Sequence, residues 1–94
     1  MREEHKILPV PAEVAAADAL RIANWRDASV QLYGSFAATI AVEVKLHPDA
    51  EWQTVASETG PAIVAIPDGA HSLRVNTTAF TSGAPGAALG GWVS

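Results

Sequence analysis

Cysteine is absent, so neither a disulfide framework nor a thiolate metal site can hold this 94-residue chain together. Aromatic residues are scarce as well: three tryptophans, two phenylalanines and one tyrosine. The 49% hydrophobic fraction leans on 19 alanines, each of which buries little area. The length supports one core, and the composition makes that core thin, so stability has to come from close packing or from assembly with a partner. Positive charge is the next shortage. Six scattered Lys and Arg residues against ten acids leave a net charge of −4 and a pI near 5.1, with no basic stripe to follow a phosphate backbone. Nucleic acid is therefore excluded as the expected partner. Long apolar runs are missing near the N-terminus, where Met1 to Lys6 mixes acids, bases and a histidine and Val14 to Ala17 is the longest such stretch. The expectation is a chain without leader or membrane span, made in a cytoplasm, with no membrane partner.

Signatures of chemistry are missing too. His5, His47 and His71 stand in three separate segments, none with a second ligand at zinc-site spacing. A Gly-x-Ser-x-Gly elbow is absent, and Gly83-Ala84-Pro85-Gly86 lacks the lysine and following helix of a phosphate loop, so it reads as a hairpin turn. Glu43, Asp49, Glu51, Glu58 and Asp68 fall in turns or on an outward strand face, where acids serve solubility rather than glycoside cleavage. No catalytic residue, cofactor or metal is assigned, and the chain is read as a non-enzyme.

What is present is period-two alternation. Phe36, Ala38, Ile40, Val42, Val44 and Leu46 alternate with Ala37, Thr39, Ala41, Glu43 and Lys45, giving one apolar and one wet face. His47-Pro48-Asp49-Ala50 breaks the run as a turn, and Glu51 to Ala56, opened by Trp52, is the return strand. Ser57 to Pro61 is a loop, Ala62 to Ile66 a short apolar strand, and Pro67-Asp68-Gly69 a tight turn. Further strands are expected over Leu20 to Ala23, Ser29 to Tyr33, Ser72 to Ala79 and Ala87 to Val93. The fold class that follows is all-β: a single antiparallel β-sandwich, jelly-roll-like or Ig-like, of about six to eight strands.

Residues 1–17 differ from the remainder, residues 18–94. After the charged start, Ile7-Leu8-Pro9-Val10-Pro11 places two prolines at alternate positions, which favours an extended path. Such an arm reaches on the order of 50 Å if straight and can leave the domain for a neighbour, or it can fray or pair at an edge as ordinary termini do. Ala12 to Ala19 is also compatible with a short helix. Arg74, between Leu73 and Val75, points away from the apolar side, where it can pair with Glu43 on a neighbouring strand or serve an interface. Trp25, Tyr33, Phe80 and Trp92 take the parity opposite to the apolar positions of their strands. They form either an exposed row for stacking sugars or docking a protein, or the plugs that close the core ends.

The run Leu32-Tyr33-Gly34-Ser35-Phe36-Ala37-Ala38-Thr39-Ile40, then Val42-Glu43-Val44, a turn and Glu51-Trp52, resembles small β-sandwich proteins of tailed bacteriophages. In these a strand of the type F-x-A-T-hydrophobic-x-V-E precedes an acidic turn and a tryptophan. Leu73-Arg74-Val75-Asn76 with Phe80-Thr81-Ser82-Gly83 is similar to their later hairpin. The resemblance covers about residues 30 to 93 and departs at Lys45 to Ala50, where that family has a Gly-Ser-x-Asp-Gly turn. It implies a virion component on the capsid surface: a decoration, or cement, protein that binds the major capsid protein, stabilises contacts between its subunits and associates with itself as a homotrimer. On that reading Ile7, Leu8, Pro9, Val10 and Pro11 form a clamp, with Trp25, Tyr33, Arg74 and Trp92 as further contact residues. The alternative is a tail or fibre accessory module that binds host-surface carbohydrate through its exposed aromatics.

Overall fold

The structure, a computed structural model, describes all 94 residues. Its elements are strands only, with no helix, and so none long and apolar enough to cross a membrane. In chain order they are β1 (Arg2–Leu8), β2 (Ala15–Ala16), β3 (Leu20–Arg21), β4 (Trp25–Tyr33), β5 (Phe36–Lys45), β6 (Gln53–Glu58), β7 (Ala62–Ala65), β8 (Ser72–Gly83) and β9 (Gly86–Val93). They form two antiparallel sheets, one ordered β1-β9-β4-β7 and the other β2-β8-β5-β6, with β3 also paired to β8. The all-β, antiparallel class expected from the alternation is the class observed.

The alternation of β5 sets the core on one side. Ile40, Val42 and Val44 point inward opposite Thr77, Val75 and Leu73 of β8. The other sheet answers with Val30 and Leu32 of β4 and Ala87 and Leu89 of β9, and these apolar residues of both sheets belong to one cluster of 16 buried side chains. Leu46, expected to continue the inward series, is exposed because β5 ends at Lys45, whose Nζ donates to the Pro48 carbonyl at 3.1 Å across the turn.

Most connections pass from one sheet to the other; only β5 and β6 form a hairpin within a sheet. Gly83 to Gly86, expected as a hairpin turn, is instead a corner that carries the chain from β8 in one sheet to β9 in the other. The β4–β5 corner lies beside it, with the Ala84 N–H donating to the Ser35 carbonyl at 3.0 Å.

The N-terminal segment corrects the division into an arm over 1–17 and a domain over 18–94, because it contributes strands to both sheets. β1 pairs with β9 along its length, from Arg2 opposite Val93 to Leu8 opposite Ala87, and Leu8 enters the core. The chain then crosses to the edge of β8. There Thr77 Oγ1 donates to the Pro11 carbonyl at 2.6 Å and the Ala17 N–H donates to Asn76 Oδ1 at 3.2 Å. Ala12 to Ala19, compatible with a short helix, supplies β2 instead: so short a helix has little stability of its own, whereas the β8 edge offers backbone partners.

Gly83 makes its corner possible. Its φ of +104° lies where side chains are disfavoured, and a Cβ there would stand 2.4 Å from Phe36 Cα and from the Ser35 carbonyl oxygen. Gly83→Ala is expected to destabilise the fold by more than about 1 kcal/mol, read from the urea midpoint at unchanged m-value. A midpoint equal to wild type would show that the corner tolerates a side chain.

Candidate functional site

Strand parity assembles one outer face from four strands. β9 turns Gly86, Ala88, Gly90 and Trp92 outward, flanked by Glu3, His5 and Ile7 of β1 on one side and Ser29, Gln31 and Tyr33 of β4 on the other. β7 adds Ile63 beyond Gln31. Four exposed large apolar side chains share this face: Ile7 (71% exposed), Ile63 (72%), Trp92 (42%) and Tyr33 (39%). The outer face of the five-stranded sheet carries none.

Small residues in the middle of the face hollow it out. A trough of about 290 Å³ runs over Ala88 to Gly91, walled by Glu3 and His5 on one side and by Asp27, Ser29 and Gln31 on the other, with Trp92 and Ile63 at its margins. At the Gly86 end Tyr33 lies directly on the bare backbone, since a Cβ at Gly86 would stand 2.5 Å from its ring. The trough thus exists because β9 has almost no side chains there.

The outer face of the other sheet is built in the opposite way. Glu43 accepts hydrogen bonds from Arg74 Nε at 2.8 Å, from Thr54 Oγ1 at 3.2 Å and from Asn76 Nδ2. The Arg74 guanidinium lies 4.4 Å from the Trp52 ring centroid and Lys45 Nζ 4.9 Å from it, so the indole is covered by two cations. Arg74 is therefore paired with Glu43 through Nε and stacked on Trp52, the structural option of the two the sequence left open. Among titratable groups, no set of three or more His, Asp or Glu residues is placed to hold a metal ion. His71 Nδ1 lies 2.6 Å from Ser72 Oγ, but Ser72 is buried and its hydroxyl is closed to a substrate.

The residues singled out in the sequence therefore separate. Ile7, Tyr33 and Trp92 come together on the open face. Leu8 is in the core, Val10 packs against it, Pro11 is partly covered and only Pro9 of that group is otherwise exposed. Trp25 is corrected outright: at 8% exposure it is the one aromatic side chain of the core. The cause is a bulge between Arg26 and Ser29, where Asp27 takes a φ of +50° and its N–H donates to Asp68 Oδ1 at 3.1 Å. The extra residue lets Trp25 and Ala28 both face inward and breaks the parity that placed Trp25 outside. Ile63, Glu3, His5, Asp27, Ser29 and Gln31 were not among the expected residues. The Glu3, His5, Ile7 alternation was a usable signal for β1, whereas Ile63 sits in a continuous apolar run, which has no parity to read.

The two tryptophans separate by experiment. Trp25→Ala is expected to cost about 3–5 kcal/mol and Trp92→Ala less than about 1 kcal/mol, both by chemical denaturation. Comparable losses would place Trp92 in the core with Trp25. No family model matches the chain, and no curated protein or solved structure matches it either.

Proposed function

We propose that this chain is a non-catalytic accessory protein of a tailed-phage virion that works by adhesion through the outer face of its four-stranded sheet. Two antiparallel sheets around one core read as a β-sandwich, a stiff slab well suited to presenting one face. The observation that carries the adhesive role is that Ile7, Tyr33, Ile63 and Trp92 all lie exposed on that one face, around the trough. Grouped exposed apolar side chains mark partner sites, and aromatic residues are their usual anchors. The phage setting is supported by the resemblance over residues 30 to 93 alone.

Two partners suit such a face. As a capsid decoration protein, the chain would bury it against the major capsid protein, as a homotrimer on the shell. The clamp of that reading, Ile7 to Pro11, has only Ile7 on the open face, because β1 is tied into the sheet. As a tail or fibre accessory, the chain would turn Trp92 and Tyr33 toward the host surface, and the trough between them favours this second reading.

Immunogold labelling of purified virions is expected to place the protein on the tail or its fibres; label spread over the whole shell would assign decoration instead. Ile7→Asp combined with Ile63→Asp is expected to keep the wild-type melting temperature and to weaken attachment to host cells by about tenfold or more. Unchanged attachment would remove this face from the function.

A further inference from the structure

Resting on the reading that this face is adhesive, we propose that the trough beside Trp92 is a binding site for a neutral saccharide. The floor comes first. Gly90 has no side chain, and a Cβ added there would already stand 3.3 Å from His5 Cδ2, so the depression is open only because this position is glycine. At its end the indole of Trp92 is 42% exposed. A half-exposed indole offers a flat apolar surface with a polar edge, which suits the C–H face of a pyranose ring.

The wall along β4 supplies the polar complement. The Asp27 carboxylate, the Ser29 hydroxyl and the Gln31 amide line the trough and make no hydrogen bond within the protein. Gln31 offers donors and an acceptor, Asp27 acceptors and Ser29 both roles, and sugar hydroxyls need that mixture because each donates and accepts. The Asp27 backbone is held at the wall, in the left-handed region with its N–H bonded to Asp68.

Charge selects within the class. Glu3 and Asp27 stand on opposite walls with His5 beside Glu3, at 4.0 Å between Nε2 and Oε1. Arg26, the neighbour of Trp92 on β4, donates Nη1 to the Trp25 carbonyl at 3.0 Å. An acidic sugar would meet two carboxylates, so uncharged rings are favoured. The volume of about 290 Å³ lies near the lower end of small-molecule sites, roughly 300–1,000 Å³, and fits a terminal ring or two rather than a buried polymer. Single-site affinity is accordingly weak, and strength comes from many copies on one particle.

The test uses the full chain labelled with ¹⁵N and titrated with methyl glycosides of glucose, galactose and mannose and their N-acetylated analogues. The indole N–H signal that disappears in Trp92→Phe is expected to move saturably at millimolar sugar, while the other two tryptophan signals stay. Gln31→Ala is expected to weaken binding about fivefold or more. Glucuronate and N-acetylneuraminate are expected to leave the signal in place. The site is overturned if no neutral glycoside moves the Trp92 signal, if the acidic sugars move it equally, or if Gln31→Ala binds like wild type. Should the glycosides fail while Ile7→Asp with Ile63→Asp still loses cell attachment, the saccharide site falls and the adhesive face stands; should both be without effect, both fall.

Discussion

Strand β9 is rich in glycine and alanine, with Leu89 its one large core side chain, and the four-stranded sheet depends on it. It lies between β1 and β4 and pairs with both, so its backbone N–H and C=O groups hold the sheet together beside the packing of Ala87 and Leu89. The inward series is Ala87, Leu89, Gly91 and Val93, and the outward series Gly86, Ala88, Gly90 and Trp92. Glycine inside a strand is unfavourable in itself, and here each one makes room for a neighbour. A Cβ at Gly91 would stand 3.3 Å from Trp25 Cε3 and 3.0 Å from Ala28 Cα. The bare backbone thus admits the core's one aromatic on one side and leaves the trough open on the other.

A sheet held this way has an uneven distribution of stability. β1 pairs only with β9, and Leu8 is the one side chain of that strand buried in the core. Its remaining residues are polar or exposed, as suits an edge that must not recruit other chains. Like β7, which buries only Val64, it ties to the core through one side chain, and edges of that kind are where local opening is easiest. Release of β1 would remove Glu3 and His5 from the trough while leaving Trp92, Ser29 and Gln31 in place. The β4 wall, anchored by Val30 and Leu32 in the core, is the stable half of the site.

How much of this was legible in the sequence follows from the same physics. Alternation placed β5, β8 and β9, and it placed Tyr33, Trp92 and Arg74 on outward positions, because one face of each strand is buried and period two records that asymmetry. It paired Arg74 with Glu43 as one of two options, and the structure shows that pair at 2.8 Å. It failed at Trp25 because a bulge at a non-glycine residue, Asp27, leaves no composition signal and inverts every parity before it. It failed at Gly83 to Gly86 because a corner between sheets and a hairpin within one use the same turn residues. Neither the pairing of β1 with β9 nor the gathering of Ile63 with Ile7 was legible, since parity identifies faces and leaves strand neighbours open.

The contrast between the two outer faces is what the proposed adhesive role rests on. On the five-stranded sheet the polar groups answer one another: Glu43 takes three donors, and Trp52 is covered by Arg74 and Lys45. The central polar groups of that face are thus satisfied within the protein. On the four-stranded sheet the side chains of Ser29 and Gln31 are unpaired, two isoleucines are more than two-thirds exposed and an indole stands open over a glycine floor. Exposed apolar groups cost solubility and unpaired polar groups contribute nothing to packing, so a fold with so thin a core has no internal reason to keep both on one side. A ligand or partner on that side, as proposed, would supply the reason, because it would bury the isoleucines and the indole while giving Gln31 and its neighbours the hydrogen bonds that the fold withholds.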